Sequence, residues 1–177
     1  MTTPLVLTFI GRDRPGLVNA ISHKVAAAGG TWLESRLARL AGEFAGILLV
    51  GVPEANVADF SAALRDLEAD GLRVTVERSA ASAPPPSERI VELALVGNER
   101  PGIVRDVTQA LTQLGVNIEE FVSGLEAAPF SGTEMFRASA RLRIPDAVRS
   151  DDLRKTLERL AGEMMVDLTV TEGKAKI

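Results

Sequence analysis

The stretch GRDRPGLV, Gly11 to Val18, returns further along the chain as GNERPGIV, Gly97 to Val104. The likeness continues past the motif. Leu17, Val18, Ile21, Val25 and Ala28 map onto Ile103, Val104, Val107, Leu111 and Leu114 at one constant shift, and Gly29 maps onto Gly115. At about 100° per residue these apolar positions form one stripe, as expected of a helix packed on a sheet. Each copy of the motif follows an apolar run and opens such a helix. It is therefore a turn in which exposed N–H groups at a helix start can hold an anion. A chain written twice folds twice, so two similar small domains are expected, each with a modest core.

Taken in order, Leu5 to Ile10 reads as a buried strand, and Pro15 suits the first turn of a helix that runs to about Ala28. Trp32 to Leu40 and Phe44 to Val52 read as a hairpin broken at Gly42. Val57, Phe60, Leu64 and Leu67 recur at helical spacing, and Leu72 to Glu77 alternates as a strand. The second copy repeats the order with strands at Ile90 to Val96, Val116 to Gly124 and Glu134 to Ile144. Its helices span Pro101 to Leu114 and the Leu153, Leu157, Leu160 stripe, and its last strand holds Val166, Leu168 and Val170. Pro145 stands where Pro53 did, but at a larger shift, so the extra residues belong to a longer hairpin loop, LEAAPFSGT, Leu125 to Thr133. The small residues and three successive prolines after Arg78 cannot pack a core and read as a linker. The expected division is residues 1–78, a linker at 79–88, residues 89–172, and a frayed tail at 173–177. The order βαββαβ, repeated, makes this an α+β chain of two ferredoxin-like units, each an antiparallel sheet with its helices on one face.

Composition narrows the chemistry. With no Cys and one His, disulfides, thiolate catalysis and clusters of soft metal ligands are all excluded within one chain. The net charge is −4, and 20 Lys and Arg are interspersed with 24 Asp and Glu, which argues against direct nucleic-acid binding. No apolar run is long enough to span a membrane, and the N-terminus lacks a signal-peptide pattern, so a cytoplasmic protein is expected. His23 falls opposite the apolar stripe of its helix and reads as a surface residue. Trp32, Phe44, Phe121 and Phe136 read as core or seam packing.

An apolar strand, a turn ending in Arg-Pro-Gly, an apolar pair, a helix, and a Gly before the second strand resembles the ACT family of small-molecule regulatory domains. The pattern occurs here as DRPGLV and ERPGIV, and the resemblance covers nearly the whole chain. It implies domains set side by side with joined sheets and an amino acid bound at the seam, between the turn after strand one and the start of strand two. On matching positions the turns contribute Gly11, Asp13, Arg14 and Gly16 in the first copy and Gly97, Asn98, Glu99, Arg100 and Gly102 in the second. Thr31 and Asn117 open strand two, Asn117 being the better match. Serine-binding members carry a His and an Asn in the turn, where this chain has Gly11 with Asp13 and Gly97 with Glu99. Among small amino acids, glycine is the first candidate that the resemblance suggests.

The same residues have plainer readings. Asp13 and Glu99 either accept a ligand's ammonium or complement their own helix dipoles. Arg14 and Arg100 either clasp a carboxylate or form a salt bridge inside the turn. Asn98 caps the turn or reads a ligand, and Asn117 offers a donor and an acceptor or holds a turn backbone. The expected protein is non-catalytic, needs no cofactor or metal, and forms a homodimer. It contains no helix-turn-helix reader, so a transcriptional effect would pass through a separate DNA-binding regulator, the alternative partner being a metabolic enzyme that it serves as an amino-acid-sensing subunit. An acylphosphatase-like hydrolase on the same fold would use Arg100 and Asn117, but the Gly-Val-Gln-Gly-Val turn of those enzymes is absent. An RNA-binding module would need a K/R-G-F/Y-G/A-F run, which is also absent.

Overall fold

Alternating apolar residues place Leu5, Leu7 and Phe9 on one face of β1 (Thr2–Arg12), and that face is where the first helix packs. The computed structural model describes residues 1–79, 89–127 and 134–172. After β1 come α1 (Leu17–Ala27), β2 (Thr31–Leu40), β3 (Glu43–Pro53), α2 (Val57–Ala69) and β4 (Leu72–Arg78). The second half repeats them as β5 (Arg89–Asn98), α3 (Ile103–Gln113), β6 (Asn117–Ala127), β7 (Glu134–Ile144), α4 (Ser150–Met164) and β8 (Val166–Glu172). The chain divides into two compact units, Met1–Ala83 and Pro84–Ile177. The expected linker at 79–88, apart from Ser79, lies outside the described residues, as do 128–133 of the hairpin loop and the tail at 173–177.

Both sheets are antiparallel, in the orders β2-β3-β1-β4 and β6-β7-β5-β8. Helices cover one face of each, and every unit has its own core. The first holds Leu5, Leu7, Ile21, Leu48, Phe60 and Leu64, and the second Leu93, Val107, Leu111, Leu142, Ile144 and Leu157. Each of these side chains contributes on the order of 1.5 to 3 kcal/mol by leaving water. The expected α+β architecture is the one observed.

Element ends differ from expectation at one instructive place. Pro15 and Pro101 stand before the helices, which begin at Leu17 and Ile103, and the residues that hand the chain into them are Gly16 (φ 95°) and Gly102 (φ 89°). A side chain there would be strained, so the Arg-Pro-Gly signature is first a backbone requirement. The hairpin from β2 to β3 turns on Ala41 and Gly42, both with positive φ, as a two-residue loop matched to strand twist demands.

Candidate functional site

The first and last glycines of each motif do different work. Gly11 and Gly97 are buried inside β1 and β5 rather than in the turn. A methyl on Gly11 would stand 2.5 Å from the carbonyl oxygen of Gly71, and one on Gly97 would stand 2.3 Å from Cγ1 of Val166. They let β4 and β8 begin against the end of the central strand.

In the first unit the turn is tied down by its own side chains. Asp13 accepts a hydrogen bond from Arg39 Nε at 2.6 Å, and its backbone N–H donates to Gly42 O. Arg14 Nη2 donates to the carbonyl of Asp70, which follows the last residue of α2, so this guanidinium caps a helix C-terminus.

In the second unit the arrangement differs. Arg100 Nη2 donates to Asp106 Oδ2 at 2.8 Å, and Arg105 Nε donates to Asp106 Oδ1 at 2.9 Å. Hydrogen bonding from Arg105 holds the Asp106 carboxyl below the usual carboxylate range against the opposing effect of burial, and Arg100 adds to it. Two guanidiniums thus share one carboxylate, which leaves the start of α3 net positive. Arg100 Nε is buried without a hydrogen-bond partner. Glu99 is exposed; its N–H donates to Glu134 O, and among the described residues no hydrogen bond or ion pair reaches its carboxylate.

These groups border a crevice of about 390 Å³, lined by Glu99, Arg100, Gly102 and Arg105 on the turn side and by Ser123, Gly124 and Leu125 of β6 on the other, with Ile103, Val104 and Phe136 as its floor. The structure therefore brings Glu99, Arg100 and Gly102 together. Asn98 ends β5 opposite Met135 and is exposed. Ser123, Leu125 and Arg105 were missed by the sequence reading. A Ser-Gly pair inside a strand was the available signal, since glycine weakens a strand and often marks a close approach.

Thr31 and Asn117 are not near these turns within their own units. Asn117 pairs with Arg143, which pairs with Ile90 at the start of β5, whereas Gly97 and the turn stand at its far end. Thr31 pairs with Gly51, opposite Pro4, in the same way. The cause is topological: α1 and α3 carry the chain back to the end where the central strand began, so the second strand starts there and only finishes beside the turn. Arg100 and Asn117, the pair that a hydrolase would require, accordingly stand at opposite ends of one sheet.

Beyond the turn, the second unit carries a charge network on the sheet face away from the helices. Glu119 accepts hydrogen bonds from Arg141 Nε at 3.0 Å and from Arg143, and Arg141 Nη1 also donates to Glu92 at 3.1 Å. Burial pushes the Glu119 carboxyl up, but Arg143 and Arg141 outweigh it and hold the group below its ordinary value. Glu119 is a bulge residue, and the pairing of β2 slips at the matching place, Leu33. Among the described residues no group of acidic or histidine side chains is placed to hold a metal, and no helix is long and apolar enough to cross a membrane.

Residues 3–77 match the ACT domain family model. The chain is 26% identical to the glycine cleavage system transcriptional repressor of Escherichia coli (strain K12) over 162 residues, which cover 90% of this chain and 85% of that protein. The repressor of the same name from Shigella flexneri matches equally. A crystal structure of an unknown protein from Galdieria sulphuraria superposes with a TM-score of 0.87 at 29% identity, covering 98% of this chain and 100% of that one. The first unit thus matches the ACT domain family over residues 3–77, and the chain as a whole, two ferredoxin-like units with an Arg-Pro-Gly turn in each, is similar to the glycine cleavage system transcriptional repressors.

Proposed function

We propose that this chain is a non-catalytic regulator that binds a small amino acid beside its Arg-Pro-Gly turn and thereby controls a partner protein. Glycine is the first candidate, because the similar repressors are named for the glycine cleavage system. The observation that carries the reading is the charge layout of the second unit's crevice. On the turn side Glu99 offers a carboxylate with no partner among the described residues, and beside it Arg100 and Arg105 share the single charge of Asp106. A zwitterion matches that layout, its ammonium toward Glu99 and its carboxylate toward the unpaired N–H groups at the start of α3.

Asn117 joins the same site when a second ACT unit lies alongside and brings the start of its own β6 strand to the turn, and this is the reason for expecting a homodimer. Control then passes from ligand to partner through the dimer. The partner is a separate DNA-binding regulator of the glycine cleavage system, in keeping with the relatives' name and the acidic balance of this chain. Calorimetry of the full chain against the proteinogenic amino acids tests the reading. Binding of at least one, weakened by Glu99→Gln, is expected, and no binding by any of them refutes it.

A further inference from the structure

The two units treat the space beside the turn in opposite ways. In the first, Leu37 of β2 and Phe9 of β1 both lie against Gly46. A methyl placed on Gly46 would stand 2.5 Å from Leu37 Cδ2 and 2.8 Å from Phe9 Cζ, so these two side chains already occupy that volume. Phe44 closes on Phe9 with ring centroids 5.9 Å apart, and the Asp13–Arg39 ion pair bridges the turn to β2 above them.

In the second unit Phe44 is kept as Phe136 and Ala138 itself carries the methyl that Gly46 lacks, but the other fillings are reduced. Register places Ser123 opposite Ala138 where the first unit has Leu37 opposite Gly46, and Leu95 stands where Phe9 did. Leu125 occupies the position of Arg39, so Glu99, the counterpart of Asp13, has no cation across the gap. The space left is the crevice of about 390 Å³. Its floor of Ile103, Val104 and Phe136 also borders a void of about 10 Å³ reaching Phe121 and Ala140, where the first unit's core has Leu48. That void is room for about one water and is walled by hydrocarbon.

We infer that the second unit is the one that takes the ligand, and that the ligand is an amino acid with an aliphatic side chain. The inference rests on the amino-acid reading given under Proposed function and, on the geometry of the crevice, replaces its first candidate, glycine, by a larger amino acid. Glu99 and the start of α3 recognise the part common to all amino acids, and the apolar floor recognises the side chain. Glycine would leave that floor bare. Each methylene buried against it raises affinity roughly fourfold.

Titration calorimetry of the full chain with glycine, alanine, valine and leucine tests this. Affinity is expected to rise at least tenfold from glycine to the preferred aliphatic amino acid. Ser123→Leu, which gives the second unit the residue of the first, is expected to lower that affinity at least tenfold with an unchanged melting temperature. Leu125→Arg, which supplies the missing cation opposite Glu99, should do the same and serves as the test if Ser123→Leu does not fold. Leu37→Ser in the first unit should leave binding as it was. Glycine binding as tightly as valine and leucine overturns the ligand class while sparing the amino-acid reading. Wild-type affinity in the folded second-unit variants, or its loss in Leu37→Ser, overturns the choice of unit. Absence of binding by every amino acid removes the amino-acid reading itself, and this inference with it.

Discussion

Asn117 stands directly opposite Arg143 at the end of the second sheet where β5 begins, almost the full length of that strand from Gly97. A ligand at that turn would meet Asn117 only from a second copy of the chain. Asn117→Ala is expected to weaken amino-acid binding by about 1 to 3 kcal/mol, the cost of leaving a buried polar group unpaired. The loss should appear at concentrations where sedimentation shows a dimer. Equal affinities of mutant and wild type under those conditions would remove Asn117 from the site.

The buried glycines of the motif make a second test, one of packing alone. Gly97→Ala drives a methyl against the side chain of Val166, which has some freedom to shift, and should cost about 1 to 3 kcal/mol. Gly11→Ala meets the backbone oxygen of Gly71 instead and should cost more. Urea unfolding of the two variants ranks them, and the reverse order would mean that the two turns are not held as described.

Glu119 contributes to the pH dependence of the second unit. Its folded-state pKa is depressed, so its contribution is fully present above the ordinary glutamate value of about 4.3 and is lost as pH falls through the lower folded value. At neutral pH Glu119→Gln should cost about 1.5 to 3 kcal/mol, the range for hydrogen bonds to charged groups. In acid the difference from wild type should vanish. A cost independent of pH would show that the carboxylate's charge is not what Arg141 and Arg143 recognise.

The ion pair of the first unit should matter little to stability. Arg39 is two-thirds exposed, and such pairs contribute less than about 1 kcal/mol. Arg39→Leu is thus expected to shift the urea midpoint only slightly, and less at high salt. A loss of several kcal/mol would make this pair a structural anchor of the fold.

Much of this was legible in the amino-acid sequence because the repeat was. Leu17, Ile21 and Val25 with Ile103, Val107 and Leu111 give helices whose buried faces are the ones the spacing implies, and Gly29 and Gly115, with φ of 65° and 69°, follow them as expected. The site was half legible. Glu99, Arg100 and Gly102 adjoin in sequence, so a local motif finds them. Ser123 and Leu125 reach the turn only through the register of β6 on β7, which a local pattern does not contain. Asn117 was matched by its place after a helix-ending glycine, yet the length of α3 decides which end of the sheet that place occupies. The roles of the motif arginines were hidden for a similar reason: Arg14 caps α2 from across the unit, while Arg100 turns to Asp106 nearby.

The bulge at Glu119 reaches beyond its own charges. A strand counts its side chains in twos, and one extra residue changes the phase of everything downstream. Because β6 steps once between Ile118 and Glu120, Phe121, Ser123 and Leu125 share the register of Ala140, Ala138 and Phe136 on the helix side, while Val122 and Gly124 go to the other. Remove that one residue and the crevice is relined, without a single change among the residues that line it.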